Sequence, residues 1–385
     1  MAKALDISLP VPKWGACDLL VIAGEHSGDE HAAKLVAQLC AIDPTKKVCA
    51  IGGAALRNEC PSQFLFDLTE HSVVGLVEVL KNYSFFKALF EKVLSWIADY
   101  KPKAVCFVDY PGFNLALAKE LKKRKISVKG GGQVRLLYYI SPQIWAWKAK
   151  RRFAMADCLD SLGVIFPFEP KCYADTSLNV QYVGHPFVSG ESRFNISYNA
   201  NADILLLPGS RKSAIAKIYP VMLKAARLMG KDAKFTTLYP DEKIKAQLDK
   251  ILQKFGDVNI TLKKADNAPL KASAVLMSSG TMSLLVCLAG IPGAIVYVAN
   301  PLTYIIGRML VNVKYLSLAN IVLDKPAWPE FLQGQASPKK LAAYMAKCLK
   351  DPNCKNEAFE NARQLRRLLF AENNTCAAEW VLSFL

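Results

Sequence analysis

Metal-binding and redox signatures are missing from this chain. Only four histidines occur in 385 residues, at 26, 31, 71 and 185, and they lack the carboxylate or cysteine pattern that would make a metal site, which argues against zinc chemistry. The 11 cysteines contain no C-x-x-C pair. Their odd number and largely apolar settings point to reduced, buried thiols of a cytosolic protein. No apolar run reaches the roughly 20 residues that span a bilayer. The longest, 284–299, is interrupted by Gly290, Pro292 and Gly293 and predicts a helix followed by a buried strand. Met1 to Pro12, with Asp6, Pro10 and Pro12, lacks the apolar centre of a secretory signal. Negative charge is also short: 33 acidic against 49 basic residues give a net charge of +16. Such a surface attracts nucleic acid, anionic membrane or phosphorylated substrates. With no nucleic-acid-binding motif present, the last two are preferred.

What the chain does have is a strand, a turn and a helix, many times over. Asp18 to Ala23 is a β-branched apolar run ending at Gly24-Glu25-His26-Ser27-Gly28-Asp29, ahead of a helical stretch from His31 to Leu39. This is how a doubly wound α/β domain begins. The glycines do not follow G-x-G-x-x-G, so a nicotinamide cofactor is disfavoured. Glu25, Ser27 and Asp29 suit a ligand and suit helix capping equally. Further strands are predicted at 48–51, 104–108, 134–140, 162–166 and 180–183. The run 104–108 delivers Asp109 and Asn114 to the carboxyl edge of the sheet, where Asp109 is placed for acid–base work or for capping the next helix. Trp145 and Trp147 flank a Pro turn just before Lys150-Arg151-Arg152, which suggests an active-site wall. The basic stretch 119–129 and Gly130-Gly131-Gly132 read as a solvated helix end and loop. Asn82 to Tyr100, rich in aromatics and bordered by Lys81 and Lys101, predicts either a helix lying on a membrane or a buried core helix.

The polar stretch 188–202 is the expected linker between an N-terminal domain (1–187) and a second domain (203–350). Helices over 351–385 have the option of packing back on the first domain. In the second half, Leu205 to Leu207 breaks at Pro208-Gly209 and hands Ser210-Arg211 to a helical pattern. Free N–H groups at that helix start, together with the Arg211 guanidinium, favour a phosphate. A helix cap followed by a solvated arginine accounts for the same residues. Ser278-Ser279-Gly280-Thr281 is a second turn of this kind, and two such turns on one sheet edge suit a nucleoside diphosphate.

A set of motifs now falls in order: A-G-E-H-S-G-D at 23–29, D-Y-P-G-F-N at 109–114, S-P-Q-I-W-A-W-K at 141–148, P-F-E at 167–169, V-G-H-P at 183–186, L-P-G-S-R at 207–211, S-G-T at 279–281, S-L-A-N at 317–320 and P-E-F-L-Q at 329–333. Together they closely resemble the lipid-A-disaccharide synthase family over about 17–341. The resemblance implies an inverting glycosyltransferase of the GT-B type: two doubly wound Rossmann-like domains with an interdomain cleft, working without metal or cofactor. It implies transfer of diacylglucosamine from UDP-2,3-diacylglucosamine to the 6-hydroxyl of diacylglucosamine 1-phosphate, at the cytoplasmic face of the anionic inner membrane. Nucleic acid is no partner, and a homodimer is left open. By the same resemblance Asp109 is the general base, Glu25, Ser27, Gly28, Asp29, Asn114 and Trp145 line the acceptor side, and Ser210, Arg211, Ser279, Gly280, Thr281, Asn320, Glu330 and Gln333 bind the donor nucleotide.

Three positions depart from the family pattern. Leu285 stands where a Glu often holds the ribose, which moves that contact elsewhere, Glu330 being one candidate. Gly112 replaces an Asp and Ala319 a Pro. Two rivals are kept: another GT-B enzyme acting on a UDP-sugar, and a non-catalytic nucleotide- or membrane-binding relative.

Overall fold

Short apolar runs separated by helices leave few ways to build a sheet, because strands joined by crossover helices lie parallel and bury both faces. The structure is a computed structural model, and it describes residues 7–60, 63–71, 83–188, 195–266, 268–300, 304, 311, 313–370 and 376–385. The chain divides into two units, Met1–Pro186 with Ala371–Leu385, and Phe187–Phe370.

The first unit holds a seven-stranded parallel sheet of β1 (Leu19–Ala23), β2 (Val48–Gly52), β3 (Phe64–Asp67), β4 (Ala104–Val108), β5 (Arg135–Tyr139), β6 (Ser161–Val164) and β7 (Asn179–Tyr182), in the order β3-β2-β1-β4-β5-β6-β7. Every residue of β1, β2 and β4 is buried, hence their unbroken apolar reading. Its helices are α1 (His26–Ile42), α2 (Ala54–Glu59), α3 (Tyr83–Tyr100), α4 (Pro111–Lys123) and α5 (Arg151–Cys158).

The expectation that α3 lies on a membrane is corrected by its burial. Phe85, Leu89, Val93, Leu94, Trp96 and Ile97 are core residues, Phe86 and Phe90 pack against that core, and the Trp96 indole donates to Pro10 O at 2.9 Å. The exposed positions are Ser84, Lys87, Glu91, Lys92, Ser95 and Asp99, a polar stripe of the ordinary amphipathic kind. Lys81 and Asn82 lie outside the described residues.

The second unit holds β8 (Ile196–Tyr198), β9 (Ile204–Leu207), β10 (Phe235–Tyr239), β11 (Ile260–Lys264), β12 (Leu270–Ala272), β13 (Ala274–Met277), β14 (Gly293–Tyr297) and β15 (Glu330–Leu332). Six of these form a parallel sheet in the order β11-β10-β9-β13-β14-β15, and β8 pairs with β12. The helices are α6 (Lys212–Leu228), α7 (Glu242–Leu252), α8 (Thr281–Leu288), α9 (Leu318–Leu323), α10 (Pro338–Lys350) and α11 (Pro352–Leu369). Part of the expected linker is therefore ordered sheet, since β8 lies within 188–202, and residues 189–194 are outside the described ones. The expectation for 351–385 also changes: α11 stays in the second unit, packed on α8, α9 and α10. Only the end of the chain returns to the first unit.

That end is α12 (Ala377–Leu382), which packs on α1. Its Trp380 is fully buried, donates to Ser161 Oγ at 3.0 Å, and lies flat against Gly163, where an added Cβ would come within 2.9 Å of the ring. Trp380→Ala is expected to cost the first unit about 3–5 kcal/mol. Denaturant unfolding followed by hydrogen exchange should localise that loss to residues of the first sheet, and equal loss in both units would contradict the assignment.

Candidate active site

In the first unit the strand order changes direction between β1 and β4, so the crevice opens beyond their carboxyl ends. β1 runs into Gly24 to Gly28 and β4 into Asp109-Tyr110. Asp109 and Tyr110 are both left-handed, at φ 48° and 50°, a conformation that costs a non-glycine residue about 1 kcal/mol or more and needs support. The support is specific. Asp109 N donates to Tyr139 O at 3.1 Å, while Asp109 O accepts from the Tyr138 hydroxyl at 2.7 Å and from Asn114 Nδ2 at 2.8 Å. The Tyr110 ring covers Gly24, where a Cβ would come within 2.0 Å of it. Burial raises the Asp109 carboxyl to a pKa of about 6, the Glu25 charge pushes the same way, and a hydrogen bond from the Tyr110 N–H partly offsets them.

Not every expected residue faces this crevice. Asp29 is fully buried and its carboxylate accepts from Gly53 N, Ala55 N and Leu56 N at 2.7, 2.9 and 3.3 Å. It caps the neighbouring α2, which corrects its reading as a ligand. Asn114 is likewise buried, its amide spent on the carbonyls at the end of β4. It positions Asp109 from behind. Glu25 and Ser27 are exposed at the start of α1, and Gly28 is buried beneath Asp109.

Trp145 stands edge-on to Phe166 and Phe168, with centroids 6.3 and 5.5 Å away, and Phe166 also meets His185 at 5.3 Å. Under this cluster Glu169 accepts from Ile165 N and Phe166 N at 3.1 and 2.9 Å. Burial raises Glu169 to about 7 against the pull of those N–H groups and a weaker pull from the Trp145 indole. Burial also lowers His185 to about 3 and His31 to about 4, with help from Lys34 and, for His185, from His31. Both imidazoles are neutral near pH 7. Trp147, expected beside Trp145 in the wall, is instead exposed with Lys148 Nζ 4.3 Å over its ring.

The second unit repeats the switch point between β9 and β13. A cavity of about 660 Å³ opens there, lined by Gly209, Ser210, Arg211, Lys217, Ser279 and Gly280 among others. Gly209 is required: its φ is +100° and a Cβ would meet Ser278 Oγ at 2.9 Å. α6 begins at this cavity with Arg211 as its N-cap, no side-chain cap and no acidic residue in the first turn, so its N–H groups are open to an anion. α8 begins at the same cavity after Gly280, and Ser283 closes that end by accepting from Gly280 N and donating to Gly280 O. The Thr281 side chain lies outside what is described. Two cations and no carboxylate line the cavity among the described residues.

Asn320, Glu330 and Gln333, expected as nucleotide ligands, form braces around it. The Glu330 carboxylate accepts from Leu316 N, Ser317 N and Asn320 Nδ2 at 2.9–3.0 Å. Asn320 is fully buried and also bridges to Trp328 N and O. Gln333 pairs with both backbone groups of Ala299, which sets the cavity wall at 299–300. Glu330 is thus committed to the backbone, and its reading as the ribose partner in place of Leu285 is corrected. Lys217, Tyr239 and Asn300 also line the cavity and were not singled out from sequence. Only Lys217 left a signal there, lying one helical turn after Ser213 on the same face of α6.

Two parallel-sheet units, each with turns gathered at its switch point, have the architecture of the GT-B fold. Solved structures of similar fold include a putative UDP-N-acetylglucosamine 2-epimerase from Listeria monocytogenes, at TM-score 0.60 and 13% identity over 96% of this chain and 95% of that one. UDP-GlcNAc 2-epimerase from Neisseria meningitidis, bound to UDP-GlcNAc, is similar at TM-score 0.57 and 12% identity over 95% and 98%. Likeness at these identities concerns the fold alone. The family model described as Lipid-A-disaccharide synthetase matches residues 19–381. Lipid-A-disaccharide synthase 1 of Legionella pneumophila (strain Philadelphia 1) is 34% identical over 376 residues, 94% of this chain and 96% of the relative. The lipid-A-disaccharide synthase of Geobacter sulfurreducens is 33% identical over 347 residues, 87% and 88% of the two chains. The chain belongs to the lipid-A-disaccharide synthase family, and its activity is that of a glycosyltransferase forming the lipid A disaccharide.

The raised Asp109 carboxyl makes a stability prediction. A carboxyl at about 6 in the fold, against an ordinary 3.8, holds its proton more tightly when folded, so its ionisation opposes folding. The penalty is absent below about pH 4, grows between pH 4 and 6 and is complete above. Asp109→Asn is therefore expected to be more stable than the parent by about 2–3 kcal/mol at pH 8 and nearly equal to it at pH 4. Urea titrations at the two pH values check this; a gap that does not change with pH contradicts it.

Proposed function

We propose that the two units divide one displacement reaction between them, the second holding a UDP-2,3-diacylglucosamine donor and the first activating the 6-hydroxyl of a 2,3-diacylglucosamine 1-phosphate acceptor. The observation that carries this reading is the Asp109 carboxylate, held at a switch point on strained, doubly anchored backbone and tuned near neutrality by burial and Glu25. A base with that pKa is ionised at pH 7 yet retains proton affinity. It takes the hydroxyl proton as the oxygen bonds to the anomeric carbon, and the bond to the UDP oxygen breaks on the opposite side. The configuration inverts, giving a β-1,6 disaccharide and UDP. The charge that develops on the leaving diphosphate is met by Arg211, Lys217 and the open N-terminus of α6. Acylated substrates place the protein at the cytoplasmic surface of the inner membrane as a peripheral protein, and among the described residues no helix is long and apolar enough to cross a membrane.

Purified protein given both substrates should yield disaccharide by mass spectrometry. UDP binding without product would favour a non-catalytic relative. Asp109→Asn is expected to lower kcat by about 10²–10⁴-fold while UDP affinity, read by calorimetry, stays within about two-fold. Arg211→Ala should weaken UDP about 10–100-fold. In the parent, kcat/KM should rise with pH through about 6 and then level, because the base must be ionised. Since the Glu25 charge raises Asp109, Glu25→Gln should move that inflection to lower pH; an unmoved inflection overturns the coupling.

A further inference from the structure

The basic cluster Lys150-Arg151-Arg152, which follows the S-P-Q-I-W-A-W-K motif, has no part in the chemistry above. Its three cations differ. Lys150 is exposed. Arg152 is spent: Nε and Nη2 donate to the two oxygens of the Asp175 carboxylate at 2.6 and 2.5 Å, and Nη1 donates to Ala149 O at 2.9 Å. Arg151 is half-buried, and among the described residues it forms no ion pair with a carboxylate. A guanidinium that has lost part of its water without gaining a counter-charge is stabilised by an anion that supplies one.

The surrounding contacts place it at the crevice of the first unit. β5 and β6 are parallel neighbours, so α5, which joins them, leads away from the carboxyl edge and its first residue lies nearest that edge. Met155 stands one helical turn after Arg151 on the same face of α5, and its Sδ accepts from the Tyr173 hydroxyl at 3.6 Å. The Tyr173 and Ser141 hydroxyls share a hydrogen bond of 2.6 Å, two residues beyond the end of β5. Tyr138, in β5, donates to Asp109 O at 2.7 Å. Burial raises both the Tyr138 and the Tyr173 hydroxyls, and the Arg151 charge is close enough to both to oppose it. The first-turn N–H groups of α5 are already bonded to Lys148 O, Ala149 O and Lys150 O at 2.9, 3.3 and 3.3 Å, so an anion here meets the side chain and not the helix end. No acidic residue occupies that turn.

The acceptor carries its 6-hydroxyl and its 1-phosphate on opposite flanks of one sugar ring. With the hydroxyl at Asp109, the phosphate needs a cation on the same sheet edge that is not already paired. We propose that Arg151 is that cation, its guanidinium binding the acceptor's phosphate monoester and so orienting the 6-hydroxyl toward Asp109. Two parallel N–H donors match two phosphate oxygens in a way a lysine ammonium does not. The proposal rests on the reading of Asp109 as the base that receives the acceptor.

The test compares a short-chain 2,3-diacylglucosamine 1-phosphate with the matching methyl glycoside as acceptors for the full chain. The parent is expected to prefer the phosphorylated acceptor by about 10–100-fold in kcat/KM. Arg151→Ala and Arg151→Gln should lose that preference by falling on the phosphorylated acceptor alone, with the donor KM, UDP affinity and thermal unfolding unchanged. Arg151→Lys should recover part of it, and Arg152→Ala should keep it. A parent-like preference in both neutral variants, or an equal fall on both acceptors, overturns the proposal and leaves the Asp109 reading intact. A loss in Arg152→Ala as great as in Arg151→Ala traces the effect to the fold of the segment and overturns the assignment, as does a parent that uses both acceptors equally. A parent that converts neither acceptor removes the reading of the reaction and the proposal with it.

Discussion

A parallel sheet grows outward from its first strand, and where the chain changes sides two neighbouring strands send their connections to opposite faces. Because crossovers are right-handed, the two loops diverge and leave a crevice at the carboxyl edge. Both units obey this constraint, at β1/β4 and at β9/β13. In each, the turns that can do chemistry are the two loops leaving those strands. In the proposed reading the acid–base group sits on one pair and the anion-binding turns on the other. Nothing else in either sheet is so placed, because the remaining loops leave strands whose neighbours were laid down in sequence.

The polar residues around these crevices fall into two physical kinds. Asp29, Asn320 and Glu330 have each committed their polar side-chain atoms to backbone groups or, between Asn320 and Glu330, to each other. A buried polar atom without such partners would be costly, so these residues are fixed and unavailable. Asp109 is the opposite. Its main-chain atoms are anchored, its side chain is partly desolvated, and its single supporting N–H leaves the carboxylate under-stabilised. Reactivity here comes from withholding hydrogen bonds from one carboxylate while supplying them in full to its neighbours.

This distinction explains what the sequence could reveal. The central strands were legible because they are buried on both faces and read as continuous apolar runs, and the P-G-S-R and S-S-G turns were legible because glycine and small hydroxyls mark helix entries. β3, β8, β12 and β15 were not seen: each has only three or four residues, and all four lie at a sheet edge or in the two-stranded pair, where periodicity cannot accumulate. Asp29, Asn320 and Glu330 were taken for ligands because braces and ligands use the same residue types, and only partners tell them apart. α3 was ambiguous for a related reason. A helix that buries most of its circumference against sheet and neighbouring helix carries as many aromatics as one lying on lipid.

The cavity of the second unit gathers positive charge with no acidic side chain among its described lining residues. Helix N-termini give about half a unit of positive charge each, and Arg211 and Lys217 add two full charges at the same cavity. Because these groups are fixed by α6 and by the Gly209 turn, they need no reorganisation when charge moves onto the leaving group. The braces Glu330 and Gln333 matter to that preorganisation indirectly, through the segments at 299 and 316–317 that they hold. Leu285, half-buried on α8, offers no polar atom to a sugar hydroxyl. In the proposed reading, recognition of the donor at this cavity leans on charge and backbone geometry more than on side-chain contacts to the ribose, with the diphosphate as the dominant handle.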